Sequence, residues 1–120
     1  MPADLAVIRH ELLLLVRQSR RRVIGAGYPY DWRPHEVVNP EDPDGQVFTE
    51  VGAWEFMATV LERGHPLEEI ELDNPRGRKA YVMTVDMGLR RPRLYIKLQL
   101  GAGTVIARSF HNSDPKGEGG

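Results

Sequence analysis

The sequence predicts an α+β fold in which two helices pack on one face of a three- to four-stranded antiparallel sheet. The order of patterns predicts it: two segments with helical apolar spacing come first, and four strand-like segments separated by Gly- or Pro-containing turns follow. The 120 residues, 41% hydrophobic and 28% charged, suit a globular chain that buries one core. We therefore expect a single domain over residues 1–111 and a polar, flexible tail over residues 112–120.

The composition excludes several kinds of chemistry. The chain has no cysteine, which excludes disulfides, thiolate metal sites and cysteine nucleophiles. None of the four histidines has a second ligand at helical or strand spacing, so we expect no metal site and no cofactor. No apolar run approaches the ~18 residues of a membrane span, and no secretory signal pattern opens the sequence. We therefore expect a cytoplasmic protein with no membrane partner.

The first helix is predicted over residues 2–22. Apolar residues recur at spacings of three and four and therefore share one buried face. These residues are Leu5, Ile8, Leu12 and Leu15. Four arginines lie at the C-terminal end of this segment, where cations interact favourably with the helix dipole, and Gly25 and Gly27 are expected to close the helix.

The segment over residues 28–45 is predicted to be irregular because it contains four prolines. A short extended piece near residues 36–38 is compatible with this composition. Three aromatic residues, Tyr28, Tyr30 and Trp32, lie close together in this segment. They either pack against the sheet or form an exposed patch for a partner or a nucleobase.

The second helix is predicted over residues 49–63. Thr49 suits the N-cap, and Gly64 followed by Pro66 ends the helix. Its apolar stripe consists of Trp54, Met57, Ala58 and Leu61.

Four strands are predicted over residues 69–72, 79–87, 93–100 and 104–111, and the third of these shows the clearest alternation. Its apolar side should join Trp54, Leu12 and Leu15 in the core. That side carries Leu94, Ile96, Leu98 and Leu100. Its other side should remain uncovered by the helices and carries Arg93, Tyr95, Lys97 and Gln99.

The turn between the last two strands sets which residues face each other. A three-residue loop over residues 101–103 would place Leu100 opposite Thr104, Tyr95 opposite Ser109 and Arg93 opposite His111. The uncovered face would then gain Ser109 and His111, while Arg108 would fall on the core side. A two-residue turn would instead place Tyr95 opposite Phe110 and mix the two faces, so we favour the first register.

The net charge is only −1, but charge is unevenly distributed. Residues 35–74 contain eleven acidic residues and one basic residue, whereas residues 75–110 contain eight basic residues and one acidic residue. Either the two segments neutralise each other within one domain, or the basic segment forms a face for polyanions such as nucleic acid.

The uncovered face carries side chains suited to metal-free RNA cleavage. That reaction needs a base for the ribose 2′-hydroxyl, an acid for the leaving 5′-oxygen and cations for the charge on phosphorus. Histidine is a common proton-transfer group, so His111 is a candidate acid or base, and Tyr95 can stack on a base or donate a proton. Arg93, Lys97 and Arg108 can stabilise phosphate. An ordinary solvated sheet face would show the same alternation.

The C-terminal hairpin resembles that of MqsR-type toxins, which belong to the RelE-like toxin class. Residues 94–100 read Leu-Tyr-Ile-Lys-Leu-Gln-Leu, and residues 105–111 read Val-Ile-Ala-Arg-Ser-Phe-His. The family's hairpin carries a tyrosine, one hydrophobic residue and a lysine on one strand, and its returning strand ends in a Ser-Phe-basic triplet. The resemblance covers residues 79–111. The family also uses a lysine and a glutamine before and within the preceding strand. Here the glutamine position falls near Val82, no lysine lies at the expected distance upstream, and Lys79 or Gln99 would have to substitute for these residues.

This resemblance implies a RelE-like fold and a metal-independent endoribonuclease, with single-stranded RNA and a cognate antitoxin protein as partners. Together with the chemistry above, it makes Tyr95, Lys97 and His111 the expected catalytic residues. The expected RNA-binding residues are Arg93, Gln99, Arg108, Ser109 and Lys79. The alternative is a non-catalytic interaction module of the same fold, whose basic face binds an acidic protein.

Overall fold

The computed structural model describes residues 2–25, 31–73 and 76–113. This part of the chain has an α+β architecture with two α-helices and a six-stranded sheet. The helices are α1 (Pro2–Val16) and α2 (Glu50–Glu62). The strands are β1 (Arg22–Ile24), β2 (Asp31–Trp32), β3 (Glu68–Glu71), β4 (Lys79–Val85), β5 (Arg93–Leu100) and β6 (Val105–Ser113). Two short 3₁₀ turns cover Ser19–Arg21 and Pro34–Glu36. No helix among these residues is both long and apolar enough to cross a membrane.

The sheet is mixed rather than purely antiparallel, and it has more strands than the sequence predicts. Its order is β1-β6-β5-β4-β3, and β2 also pairs with β6. Strands β3 to β6 are antiparallel neighbours, whereas β1 and β2 run parallel to β6. The two added strands pair with backbone groups along one edge of β6. Without them, that edge would have donors and acceptors with no strand beside it.

The prediction that the first helix reaches residue 22 is wrong, because α1 ends at Val16. The Arg22 guanidinium donates from Nε to the backbone oxygen of Val16 at 2.7 Å, and so satisfies a carbonyl of the last turn. Val23 and Ile24 are β-branched and favour extended backbone. They pair with Ile106 and Ala107, so β1 begins where the helix was expected to continue.

The predicted second helix is confirmed with nearly the same bounds. Thr49 is its N-cap, and its hydroxyl accepts a hydrogen bond from the Gly52 backbone nitrogen at 2.9 Å. The helix buries one broad apolar face. That face consists of Ala53, Trp54, Phe56, Met57, Ala58, Val60 and Leu61.

The two helices pack on one face of the sheet, as predicted. The side chains of Leu94, Ile96 and Leu98 are fully buried in one core cluster. Leu12 from α1 and Trp54 from α2 belong to the same cluster. Leu15 was expected in the core but is only half-buried, and the neighbouring Val16 is fully buried.

The irregular segment contributes one aromatic residue to this core. The Trp32 ring lies 5.4 Å from the Trp54 ring and 5.6 Å from the Phe110 ring, centroid to centroid. Of the two alternatives that the sequence left open, Trp32 therefore packs against the core and does not form an exposed patch. Tyr28, Tyr30 and Gly27 lie outside the described residues. The extended piece expected near residues 36–38 is reduced to the end of a 3₁₀ turn and an isolated bridge between Val38 and Val47.

The register predicted for the C-terminal hairpin is wrong. The loop has four residues, so Leu100 faces Val105, and Gly103 adopts a left-handed φ of 71° within the loop. Arg108 is then an extra residue in β6, because Leu98 pairs with Ala107 while Lys97 pairs with Ser109. Beyond this β-bulge, β6 continues to Ser113, so the first two residues of the predicted tail belong to the sheet. Residues 114–120 lie outside the described residues.

Candidate functional site

The face of the sheet that points away from the two helices is called the open face below. Alternation along β5 places Arg93, Tyr95, Lys97 and Gln99 on it, since the intervening leucines and isoleucine are in the core. The register with β6 adds Ser109 and His111. These are the six residues that the sequence placed on one face, although their pairing differs from the prediction.

Three of these side chains form a compact cluster. Tyr95 and His111 face each other across the two strands, and their ring centroids lie 5.3 Å apart at an interplanar angle of 33°. The Lys97 ammonium lies 5.8 Å from the Tyr95 ring centroid, which is within the range of a cation–π contact. The predicted register would have placed His111 opposite Arg93. The four-residue loop and the bulge each shift the register by one residue, and together they place His111 next to Tyr95.

The His111 ring is oriented by the backbone carbonyl of the next residue. Its Nδ1 atom lies 2.9 Å from the backbone oxygen of Asn112. A carbonyl oxygen only accepts hydrogen bonds, so in the neutral ring Nδ1 carries the proton. The Nε2 atom then holds the lone pair, which is the arrangement a general base requires.

Arg108 lies on the open face instead of the core side, because the four-residue loop puts Val105 and Ala107 in the core and Arg108 follows Ala107. Its Nη1 atom donates a hydrogen bond to the Gln99 side-chain oxygen at 3.1 Å. A β-bulge redirects the side chain of the extra residue and locally increases the twist of the strand. The awkward core position that the sequence implied for Arg108 therefore does not arise.

The other expected RNA-binding residues differ in their accessibility. Arg93 is exposed at the start of β5. Gln99 and Ser109 are buried, with 6% and 1% of their surface exposed, so both support the site rather than present a contact surface. Gln99 does so by accepting the hydrogen bond from Arg108.

Lys79 does not join this group. It shares its side of β4 with Tyr81 and Met83, which face the helices. Its ammonium donates to the Glu69 carboxylate at 3.0 Å, and this hydrogen bond raises the pKa of Lys79. Its place on the opposite side of the sheet separates it from the Tyr95, Lys97 and His111 cluster.

Sequence reasoning missed the residues that flank the cluster across the sheet. Val82 lies opposite Lys97 and Thr84 lies opposite Tyr95, while Glu68 lies opposite Val82 on β3. On the other flank, Asp31 is paired with Ser109. Alternation along β4 would have revealed Val82 and Thr84. Asp31 had no such signal, because β2 is two residues long within a Pro-rich segment.

Two concavities lie near the ends of β4. One, of about 340 Å³, adjoins the open face and is lined by His65, Pro66, Leu67, Glu68, Val82 and Thr84. Another, of about 530 Å³, lies between the end of α2 and the β4–β5 loop, and its rim includes the Arg63–Glu41 ion pair. Of these two, only the first is lined by residues that lie opposite members of the Tyr95, Lys97 and His111 cluster, namely Val82 and Thr84. No group of three or more His, Asp or Glu side chains that could hold a metal ion occurs among the described residues.

No protein-family model matches the chain, and neither a curated protein nor a solved structure matches it significantly. The function is therefore argued from the chemistry of the open face and from the residues of the hairpin.

Proposed function

We propose that this chain is a toxin-like, metal-independent endoribonuclease that binds single-stranded RNA across the open face. The observation that carries the proposal is the cluster of Tyr95, Lys97 and His111, in which a titratable ring, a phenol and an ammonium lie side by side. The resemblance of the hairpin to MqsR-type toxins supports the same assignment.

The geometry suits cleavage by the neighbouring 2′-hydroxyl of the RNA. His111 Nε2 takes the proton of this hydroxyl, and the 2′-oxygen attacks phosphorus. The bond from phosphorus to the 5′-oxygen breaks, and this oxygen leaves with a proton from the Tyr95 hydroxyl. The products are a 2′,3′-cyclic phosphate and a 5′-hydroxyl end, and the proton held by His111 returns to Tyr95. Lys97 and Arg108 stabilise the negative charge that develops on the phosphoryl oxygens.

The test is cleavage of single-stranded RNA in the presence of EDTA by the wild type and by His111→Ala. Loss of a positioned acid or base should reduce the rate by roughly 10²–10⁴-fold. The fold should survive, because His111 lies near the end of β6 on the open face. His10→Ala on α1 is the matched control and should cleave at the wild-type rate, since His10 is exposed outside the sheet.

The products and the melting temperature complete this test. Cyclic phosphate ends in the wild-type reaction would support attack by the 2′-oxygen. Equal cleavage by His111→Ala and the wild type, at equal melting temperatures, would refute the assigned role. Binding of RNA without cleavage by the wild type would favour the interaction module instead.

A toxin of this kind would require a cognate antitoxin protein. The basic side chains of the open face suit an acidic partner surface that blocks access to the Tyr95, Lys97 and His111 cluster. Co-expression with the product of an adjacent small gene should then suppress the RNA cleavage. Cleavage that continues in such a stable complex would contradict a blocking role.

A further inference from the structure

The concavity of about 340 Å³ beside the open face is lined by residues of β3 and β4, and β4 is the strand next to β5, which carries Tyr95 and Lys97 of the proposed catalytic cluster. Its wall includes Val82, which lies directly opposite Lys97, and Thr84, which lies directly opposite Tyr95. Directly opposite residues on neighbouring antiparallel strands have Cβ atoms about 5 Å apart. A nucleotide whose phosphate contacts Lys97 therefore has this concavity next to it.

The lining combines an apolar floor with polar groups at the edge. The exposed ring of Pro66 offers apolar surface on which a planar base can rest, and the buried Val82, 5% exposed, forms part of the floor of the concavity. Glu68 and Thr84 are both exposed. Within the described part of the chain, neither side chain makes a hydrogen bond or an ion pair, so both remain available to a ligand.

The carboxylate of Glu68 decides which part of RNA fits there. A negative charge repels phosphate, so it does not suit the path of the backbone. Glu68 on β3 is two strands away from Lys97 on β5, which is a separation of about 10 Å across the sheet. This arrangement fits a nucleotide whose phosphate lies at Lys97 and whose base reaches the concavity.

We infer that this concavity is a nucleobase subsite that selects a base with an exocyclic amine, an inference that rests on the proposed function. An ionised carboxylate only accepts hydrogen bonds, so it pairs with the amine of cytosine, adenine or guanine. The corresponding edge of uracil carries a carbonyl oxygen, which a carboxylate repels. The Thr84 hydroxyl can both donate and accept a hydrogen bond, and it would form one with a neighbouring atom of the same base.

The experiment compares binding of two octanucleotides, one of cytidine and one of uridine, in which 2′-fluoro groups replace the hydroxyl that cleavage requires. The two bases have the same size and differ on the edge that Glu68 would contact. The wild type should bind the cytidine probe roughly tenfold more tightly, as expected for a specific base-edge contact. Glu68→Gln should lose most of this preference, because its amide also donates to the uracil carbonyl.

Glu71→Gln is the matched control. Glu71 lies on the same strand as Glu68. In the register with β4 it lies opposite Lys79, and its side chain is on the side away from the open face. This variant should keep the wild-type preference for cytidine, and all three proteins should show the same melting temperature. A preference that survives in Glu68→Gln would overturn the role of Glu68.

Failure of this inference is distinguishable from failure of the proposed function. Equal binding of both probes by the wild type would overturn the subsite, while RNA cleavage that depends on His111 would keep the endoribonuclease proposal. A clear cytidine preference without cleavage of natural RNA would keep the subsite as a binding site and refute the nuclease. No binding of either probe would overturn the subsite and RNA binding by the open face together.

Discussion

At the scale of single residues, the open face contains side chains that are accessible to a ligand and side chains that can only position the accessible ones. Gln99 is buried, and its side-chain oxygen accepts a hydrogen bond from Arg108 at 3.1 Å, so in the proposed function it would act on RNA only through Arg108. Lys97 differs because the residue is only half-buried and its ammonium lies 5.8 Å from the centroid of the Tyr95 ring. In the proposed reaction it is therefore the cation best placed to contact the phosphate beside the attacking 2′-oxygen.

Lys97→Ala should weaken RNA binding and also slow cleavage. A phosphate contact acts in the ground state and the transition state alike, so we expect KM to rise and kcat/KM to fall, with a smaller change in kcat than His111→Ala produces. Steady-state kinetics on single-stranded RNA would separate these effects. Lys97→Arg keeps the charge and should retain most of the affinity. A Lys97→Ala protein with wild-type KM would contradict the phosphate contact.

At the scale of secondary-structure elements, the features that could be predicted are those that a short run of residues determines. The N-cap and apolar stripe of α2 lie within fifteen residues, and the alternation of β5 is confined to eight, so both could be predicted. The parallel pairing of β1 with β6 joins residues about eighty positions apart, which local periodicity does not report. The sequence contains only an indirect indication of the bulge at Arg108: in the predicted register, this charged side chain would have been in the core. The loop length and the bulge together decide which residue meets Tyr95, so the members of the site could be predicted but not their contacts.

Thr49→Ala should destabilise the protein by about 1 kcal/mol, because the Gly52 nitrogen loses the acceptor that caps α2. Thr59→Ala makes the same substitution inside this helix, where the Thr59 hydroxyl donates back to the Glu55 carbonyl. Alanine has the higher helix propensity there, so the change should be neutral or slightly stabilising. Urea unfolding at 25 °C measures both free energies. A loss in Thr59→Ala as large as that in Thr49→Ala would contradict the capping argument.

At the scale of the whole molecule, the uneven distribution of charge is partly neutralised and partly left on the open face. Lys79 of the basic segment forms an ion pair with Glu69 of the acidic segment, so the two segments partly neutralise each other, which is one of the two alternatives that the sequence left open. Arg63 pairs with Glu41 within the acidic segment itself. Among the described residues, neither Arg93 nor Lys97 makes an ion pair. With Arg108 they supply the positive charge that a polyanion would meet on this face.

The affinity for single-stranded RNA should therefore fall steeply with salt. Each phosphate contact releases counterions, and three cationic contacts predict a slope of log affinity against log salt of about −2 for a single strand. Raising salt from ~50 to ~200 mM would then weaken binding by about 20-fold. Lys97→Ala should make this slope less negative by about 0.7. Lys79→Ala removes the same charge on the other side of the sheet, where Glu69 already pairs with it, and should leave the slope unchanged. Equal affinity at the two salt concentrations would contradict binding of RNA through the phosphates at the open face.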